Sequence, residues 1–234
     1  MFSIVGMSAP EIVDRQAWIR ERETLLVREK AHTREGDAIA AARRRLPMTE
    51  VAPVSLVGAR GETPLEEIFQ GRDQLVVYKH MWHDGKSFAD QCEGCTASIW
   101  DFHDAAYLEA RGISFAVFGE GTYAEMAPYR EFMGYTHPWY STHGITDPAY
   151  AGGGVIACFL RQGDRFFLTY ETTGRGVEAI MSSHKLLDLT AYGRQEAWED
   201  SPDGWPQDPT YTRWRRDGRP VPQWTRPGVT QNGN

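Results

Sequence analysis

The residues best suited to carry chemistry are two cysteines separated by two residues, in Cys92-Glu-Gly-Cys95. They follow a predicted buried strand and precede a predicted helix, a context more typical of a redox pair than of a chance spacing. Because residues three apart on a helix share one face, the two sulfurs can close a disulfide with little backbone motion. The spacing therefore predicts reversible thiol oxidation.

The two cysteines are expected to play different parts. Free amide donors and the positive end of the helix dipole favour a thiolate on Cys92, with a pKa below the roughly 8.5 of a free cysteine. Cys92 is therefore the expected nucleophile, and Cys95, one turn inside the helix, is the expected resolving cysteine. Glu93 should oppose thiolate formation, and Lys86 should offset it. Cys158 stands alone and is expected to be a buried core residue.

A metal site is the alternative interpretation of the same cysteines. Together with the pair, His80 and His83 would complete a tetrahedral zinc site. The chain would then be a non-enzymatic, zinc-stabilised binding module. A domain of this size needs no metal to be stable, and His80 falls at the end of a buried strand. The redox interpretation is therefore favoured, and no metal or other cofactor is assigned.

The elements that must position these residues can be read from hydrophobic periodicity. Residues 74–80 form a continuous apolar run typical of a buried parallel strand. Strands and helices then alternate until two strands are joined by a four-residue turn. The predicted strands are at 51–57, 74–80, 113–118, 155–160 and 165–170. The predicted helices are a helix or helix pair at 11–46 and helices at 63–69, 96–111, 122–133 and 176–189.

This order of elements predicts an α/β fold. Alternating strands and helices require right-handed parallel crossovers, whereas the short link at Gly163 requires an antiparallel pair. We therefore expect a mixed sheet flanked by helices in a core of residues 74–196. An N-terminal helical extension with a lead-in strand (1–73) and a long irregular tail rich in Pro and Trp (197–234) should pack on this core as one structural domain.

Composition and charge exclude several classes of partner. The 234 residues carry 25 Lys and Arg against 32 Asp and Glu, a net charge of −7, so nucleic acid is a poor partner. No apolar run reaches the roughly 20 residues that cross a membrane, and the amino end (1–10) lacks a secretory-signal pattern, which favours the cytoplasm. The N-terminal helix and three tail tryptophans are candidate homodimer surfaces: Trp205, Trp214 and Trp224.

Aromatic and basic residues elsewhere are candidates for a substrate pocket. The segment 135–154 is rich in Gly, Pro, His and aromatic residues and lies between the predicted helix at 122–133 and the predicted strand at 155–160. Its rings should either wall a pocket over Cys92 or roof the core. Arg175 should either hold a substrate anion or pair with a local acid. The complete set of pocket candidates is Trp82, His83, Glu93, His137, Trp139, Tyr140 and Arg175.

Several stretches of the chain resemble the bacterial family DUF899. They are residues 75–78, the pair Cys92 and Cys95, 134–141, 169–170 with 175–176, and 193–196. The resemblance extends from about residue 13 to residue 196. It implies a thioredoxin-like fold and dithiol–disulfide oxidoreductase activity. The partners would then be an external thiol reductant and a disulfide substrate, since the sequence contains no dinucleotide-binding or phosphate-binding motif.

The sequence departs from ordinary thioredoxins around the cysteines. Gln91 stands where they have tryptophan, and Glu93-Gly94 stands where they have Gly-Pro. Residues 152–154, all glycine, precede the third core strand, where thioredoxins carry a cis-proline. Pairing with an extended protein is therefore disfavoured, and the expected substrate is a small or restricted disulfide or oxidant. The long segment 81–91 resembles peroxiredoxins, which makes a peroxide reductase the alternative, although their Pro-x-x-x-Thr/Ser-x-x-Cys pattern is missing.

Overall fold

The computed structural model describes residues 9–230. Its helices are α1 (Arg15–Arg43), α2 (Leu65–Ile68), α3 (Glu93–Asp101), α4 (Ala106–Glu109), α5 (Tyr123–Met133) and α6 (Ser182–Leu187). Its strands are β1 (Thr49–Val51), β2 (Ser55–Gly58), β3 (Gly61–Pro64), β4 (Gln74–His80), β5 (Ile113–Gly119), β6 (Trp139–Ser141), β7 (Val155–Gln162), β8 (Arg165–Thr173), β9 (Arg215–Arg216) and β10 (Arg219–Pro220). Most of the amino end discussed above and the last four residues lie outside the described residues.

Eight strands form one mixed sheet in the order β1-β8-β7-β4-β5-β6-β2-β3. At its centre β4 pairs in parallel with β5 and in antiparallel with β7, and β7 pairs in antiparallel with β8. The chain runs from β4 to β5 through α3 and α4, and leaves β5 through α5. This arrangement is thioredoxin-like, so the predicted α/β class with a mixed sheet flanked by helices is confirmed.

Two apolar clusters cover the two faces of the sheet. Val77 and Phe118 belong to one cluster, whereas Tyr78 and Val117 belong to the other. Neighbouring residues of β4 and β5 enter different clusters because successive side chains of a strand point to opposite faces. Cys95 is part of the second cluster, so that face of the sheet carries the cysteine pair.

The predicted lead-in strand at 51–57 is two strands. Pro53, which has no amide hydrogen to donate, lies between β1 and β2. β1 pairs with β8 at one edge of the sheet, whereas β2 pairs with β6 near the other edge. The few residues that link the two strands can span at most about 14 Å, so the sheet curls and brings its edges together.

The predicted helix at 96–111 differs from the structure at its start and in its middle. α3 begins directly after Cys92, which is its N-cap residue. The chain leaves this helix at Phe102, whose carbonyl accepts a hydrogen bond from the His137 ring at 2.6 Å. Asp104 then binds the first amide of α4, which is a separate helix of four residues.

Further differences lie in the second half of the core. The predicted helix at 176–189 is a 3-10 helix (Gly174–Ile180) followed by the shorter α6. The segment 135–154, predicted to be irregular, contains β6, which pairs in parallel with β5. The predicted hairpin is confirmed, and β7 and β8 extend up to the turn at Gly163, whose φ of 65° suits glycine.

The two extensions of the core behave differently. α1, described along its whole length, buries none of its residues. The tail instead returns to the start of α3, where the wholly buried Gln223 donates to the Phe88 carbonyl at 2.7 Å. The tail therefore packs on the core next to the start of α3. Within residues 9–230, no helix has both the length and the apolar sequence that crossing a bilayer requires.

Candidate active site

The cysteine pair lies at the start of α3, on the loop that follows β4. Cys92 caps the helix, and its sulfur accepts a hydrogen bond from the Cys95 amide at 3.4 Å. Cys92 is partly exposed, whereas Cys95 is only 2% exposed. Both are free thiols. The arrangement leaves one sulfur within reach of a small molecule and shields the other.

The two sulfurs differ in their tendency to ionise. The Cys95 thiol donates a hydrogen bond to the Cys92 sulfur, which is the main reason that the pKa of Cys92 falls to about 6. Backbone amides of residues 94 and 95 support this fall, whereas burial and the charge of Glu93 oppose it. The same thiol–thiolate contact, together with burial, raises the pKa of Cys95 well above its usual value. At neutral pH Cys92 is therefore a thiolate and Cys95 a protonated thiol.

The end of β4 and the glycines before β7 hold the inner sulfur in place. The amide of Met81 donates to the Cys95 sulfur at 3.3 Å. Met81 packs against Gly153, where an added Cβ would lie 2.6 Å from the Met81 Cα. Tyr78 lies beside the pair, and burial and the neighbouring Cys95 raise its pKa well above the usual value. Only glycine fits at position 153, which accounts for part of the glycine run.

A guanidinium from the tail contacts the residues on both sides of Cys92. Arg215 donates to the Gln91 carbonyl at 2.8 Å and to a carboxylate oxygen of Glu93 at 2.9 Å. These two residues flank Cys92 in the chain. The side chains of the ion pair are 28% and 26% exposed, so water screens it only in part. Arg215 thus offsets the charge of Glu93, a role expected of Lys86 from the sequence.

A cavity of about 550 Å³ opens beside the cysteine pair. Both cysteines, Gly153 and Gly154 line it on the side of the core. Its apolar and aromatic side chains are those of Tyr78, Met81, Val177, Met181, Trp198, Tyr211 and Trp214. The volume is in the range of sites that bind small molecules. The cysteine pair therefore faces a concave space that is large enough for a small ligand.

The tail supplies the aromatic wall of this cavity. The Trp214 ring lies over Gly94, 3.1 Å from the place of an added Cβ. The Trp214 indole donates to a carboxylate oxygen of Glu196 at 2.8 Å. Glu196, which is 4% exposed, also accepts from the Trp198 indole at 2.5 Å and from the Tyr211 amide at 3.2 Å. One buried carboxylate thus fixes all three aromatic residues.

A buried ion network forms another wall. The Arg194 side chain donates two hydrogen bonds each to Glu178 and Asp188, at 2.7 and 2.9 Å. These bonds lower the pKa of Glu178 to about 2. Arg175 binds the same Glu178 at 2.9 Å and lies over the Trp198 ring, 4.4 Å from its centroid. Both guanidinium groups that line the cavity are therefore paired with carboxylates, and Arg175 takes the predicted option of a local acid.

One protein family matches most of the chain. The family described as "Bacterial protein of unknown function (DUF899)" matches residues 7–218. The chain belongs to this family. The matched range includes the cysteine pair, Glu196 and Trp214 of the cavity wall, and Arg215, which binds Glu93. A search of curated proteins gives no significant match.

Solved structures are similar to part of this DUF899 chain at low sequence identity. Peroxidoxin BcpB from Mycobacterium tuberculosis has 16% identity and a TM-score of 0.42, over 59% of this chain and 97% of the other. A candidate thiol:disulfide interchange protein DsbE from Chlorobium tepidum has 14% identity and a TM-score of 0.41, over 59% and 95% of the two chains. Peroxiredoxin Q from Xanthomonas campestris has 14% identity and a TM-score of 0.36, over 57% and 90%.

The predicted pocket residues of this DUF899 protein fall into two groups. Glu93 and Arg175 line the cavity beside the cysteines. The other five lie elsewhere, and they are Trp82, His83, His137, Trp139 and Tyr140. Trp139 and Tyr140 are neighbours in β6, so they point to opposite faces of the sheet and enter the two core clusters. The His137 ring binds the carbonyl of Phe102, the residue that directly follows α3. The segment 135–154 therefore roofs the core and contributes only two glycines to the cavity.

The zinc site considered as an alternative is not formed. His80 is wholly buried among aromatic rings that include Trp82 and Trp139, and burial lowers its pKa to about 4. The His83 ring contacts the Asp90 carbonyl at 2.8 Å. Among residues 9–230, no group of three or more His, Cys, Asp or Glu side chains could hold a metal ion. The four residues that would have formed the site therefore do not converge: His80, His83, Cys92 and Cys95.

The contacts of the tail with the site could not be predicted from the sequence. Trp214 is predicted to pack on the core or to form a homodimer surface, Glu196 only belongs to a stretch that resembles the family, and Arg215 is not singled out. The run Arg213-Trp-Arg-Arg216 could have drawn attention to this part of the tail. A tryptophan among arginines indicates a ring that packs on the protein and guanidinium groups that pair with carboxylates. No local pattern shows that one of these arginines reaches back 122 residues to Glu93.

Proposed function

We propose that this DUF899 protein is a thiol–disulfide oxidoreductase in which Cys92 is the nucleophile and Cys95 the resolving cysteine. The observation that carries the proposal is the contrast between a partly exposed sulfur with a pKa of about 6 and a buried, protonated one beside it. The thiolate is the attacking species in disulfide exchange, and the resolving sulfur acts only after the first bond has formed. The adjoining cavity supports a small disulfide as the substrate.

The proposed reaction transfers two electrons from the dithiol to the substrate. The Cys92 thiolate attacks one sulfur of a disulfide RSSR, forms a mixed disulfide and releases RS⁻. The Cys95 thiol then attacks the Cys92 sulfur, and its proton leaves with the second group as RSH. The products are the Cys92–Cys95 disulfide, RS⁻ and RSH, so atoms, charge and electrons balance.

An external thiol reductant is proposed to return the disulfide to the dithiol. The cytoplasm, where small thiols are kept reduced, is the proposed compartment for this cycle. Cys158 is assigned no part in it. Burial raises the pKa of Cys158, so this thiol stays protonated at neutral pH.

Serine variants of the three cysteines test the proposal. Pre-reduced protein is mixed with bis(hydroxyethyl) disulfide, and the products are mapped by mass spectrometry after rapid alkylation. The wild type should lose two thiols and form the Cys92–Cys95 disulfide. Cys92→Ser should abolish the reaction, whereas Cys95→Ser should stop at a mixed disulfide on Cys92, because the resolving sulfur is missing.

Cys158→Ser is the matched control and should react like the wild type. Survival of the reaction in Cys92→Ser, or a mixed disulfide on Cys158, would overturn the proposal. The same variants treated with hydrogen peroxide test the peroxide-reductase alternative. Rapid oxidation of Cys92 by peroxide, with no reaction toward any disulfide, would favour that alternative.

A further inference from the structure

We infer that the substrate of this site is a small, uncharged disulfide with an aromatic or apolar body. The inference rests on the proposed function and adds the class of substrate to it. Two observations carry it: the wall that the tail builds over the cysteine pair, and the balance of charges that line the cavity. Neither is a property of the cysteine pair itself, so the two proposals can fail separately.

The tail restricts access to the pair. The Trp214 ring covers Gly94, the residue that lies directly before Cys95. This ring is held on several sides, by a hydrogen bond to Glu196 and by ring contacts with His184 and Tyr211 at centroid distances of 4.6 and 5.1 Å. A folded protein that approached the pair would have to displace this fixed ring. The geometry therefore favours a ligand that enters the cavity over a protein that docks on its surface.

The walls of the cavity suit an apolar or aromatic body. Trp198, Tyr211 and Trp214 present rings on the side of the tail, and Met81 and Met181 present thioethers on the side of the core. Aromatic groups stack favourably on rings of this kind and make favourable contacts with methionine sulfur. A ligand of aromatic or apolar character would thus bury most of its surface close to Cys92.

The charges of the cavity disfavour an anion. Its lining contains three carboxylates, those of Glu93, Glu178 and Glu196, the Cys92 thiolate, and two guanidinium groups, those of Arg175 and Arg194, which leaves a net charge of −2. Both guanidinium groups are already paired with carboxylates. No unpaired cation of the lining is therefore offered to a carboxylate of the substrate, and an anionic disulfide would meet net repulsion.

A cationic substrate is not favoured either. Glu196 is the lining carboxylate without an ion-pair partner, and its oxygens already accept hydrogen bonds. Glu196 accepts three N–H donors, from the indoles of Trp198 and Trp214 and from the amide of Tyr211. A cationic group would have to displace at least one of these donors, and two of them fix the aromatic wall itself. An uncharged ligand leaves the network intact.

A set of disulfides of different charge and character tests the inference on the unmodified protein. Pre-reduced wild type is mixed with a dipyridyl disulfide (uncharged, aromatic), bis(nitrobenzoate) disulfide (dianionic, aromatic), bis(hydroxyethyl) disulfide (uncharged, without rings), cystamine (dicationic) and insulin. Each rate of oxidation of Cys92 is divided by the rate of the same reagent with a small thiol. We expect the dipyridyl disulfide to exceed each of the others by about tenfold or more after this correction.

Variants of tail tryptophans test whether the aromatic wall causes the expected preference for the dipyridyl disulfide. Trp214→Ala should lower the corrected rate with the dipyridyl disulfide by about five- to tenfold, without slowing the alkylation of Cys92 by iodoacetamide. Trp214→Phe retains a ring and should keep most of the rate. Trp205→Ala is the matched control, because Trp205 packs on Tyr192 outside the cavity, and it should react like the wild type.

The outcomes separate the two proposals. If none of the disulfides oxidises Cys92, the proposed function fails. If all of them oxidise it at equal corrected rates, or if the dianionic reagent, cystamine or insulin is preferred, only the substrate class is overturned. The comparison on the wild type needs no variant, so it decides the question even if Trp214→Ala does not fold.

Discussion

At Cys92, the groups on either side in the chain set the conditions for the proposed chemistry. Glu93 places a negative charge next to the sulfur, and this charge opposes the thiolate. Arg215 binds that carboxylate and also binds the carbonyl of Gln91, so it compensates the charge and fixes the backbone at once. An exposed ion pair usually contributes little to stability, but this pair lies beside a sulfur whose pKa is close to neutral.

Replacing Arg215 by methionine should raise the pKa of Cys92. The variant keeps a long side chain but removes the positive charge, so the uncompensated Glu93 disfavours the thiolate. The thiolate absorbance of Cys92, followed against pH, should show its midpoint at a higher pH than in the wild type. At pH 6 the rate of disulfide exchange should fall about threefold, since a smaller fraction of the sulfur is ionised.

Glu93→Gln is the control for this effect. On its own it should lower the pKa of Cys92, because it removes the nearby anion. In the double variant, the additional loss of Arg215 should change the pKa less than it does in the wild type. An equal rise with and without Glu93 would show that Arg215 acts through the backbone alone.

Among the elements, the glycines before β7 bear most directly on the position of the inner cysteine. Gly153→Ala would place a methyl group against the Met81 backbone, which cannot move aside as a flexible side chain would. We expect the variant to lose about 1–3 kcal/mol in free energy of unfolding, measured by urea denaturation. Because the Met81 amide donates to the Cys95 sulfur, displacement of Met81 should also slow the resolving step.

Gly36→Ala is the matched control for Gly153→Ala. Gly36 lies in α1 with no heavy atom within 4 Å of an added Cβ. Alanine is the better helix former, so the free energy of unfolding should stay unchanged or rise by up to about 1 kcal/mol. An equal loss of stability in both variants would contradict the steric argument at Gly153.

The central elements could be predicted because their signals are local. β4 and β5 are continuous apolar runs, and α5 ends where Gly134 takes a left-handed φ of 69°. The break between α3 and α4 could not be predicted in this way. At this break the Phe102 carbonyl accepts from His137, a contact between residues 35 positions apart that no local pattern shows. The strand β6 was missed because three residues are too few to show a pattern.

In the candidate site, too, the local features could be predicted and the long-range contacts could not. Cys92 and Cys95 could be identified from their spacing and from the elements around them, since a helix start is a local feature. Glu196, Trp214 and Arg215 are far from the pair in the sequence, and only the fold of the whole chain brings them to it. The sequence therefore indicates the two sulfurs of the proposed reaction but not the cavity that they face.

At the scale of the whole molecule, α1 is the part that the core does not account for. Helices in proteins gain most of their stability from packing, yet this helix of 29 residues buries none of them. Trp18, Leu25 and Ile39 are between 43% and 47% exposed and are spaced by multiples of seven, which places them on one stripe. We expect a second copy of the chain to cover this stripe, in line with the homodimer considered from the sequence.

Leu25→Glu should convert such a dimer into a monomer, because it places a charge in the middle of the apolar stripe. The measurement is the molar mass from size-exclusion chromatography with light scattering. Val27→Glu is the control, since Val27 is 68% exposed and lies off the stripe, and it should leave the dimer intact. A monomeric wild type, or the same effect from both variants, would contradict this expectation.

The most direct test of the account is the rate at which iodoacetamide alkylates each cysteine as a function of pH. Because only the thiolate reacts and the pKa of Cys92 is lowered to about 6, its rate should rise with pH, reach half of its maximum near pH 6 and level off above neutrality. Cys95, whose pKa is raised, should remain unlabelled over the same range. A half-maximum near that of an ordinary cysteine, or faster labelling of Cys95, would contradict the account.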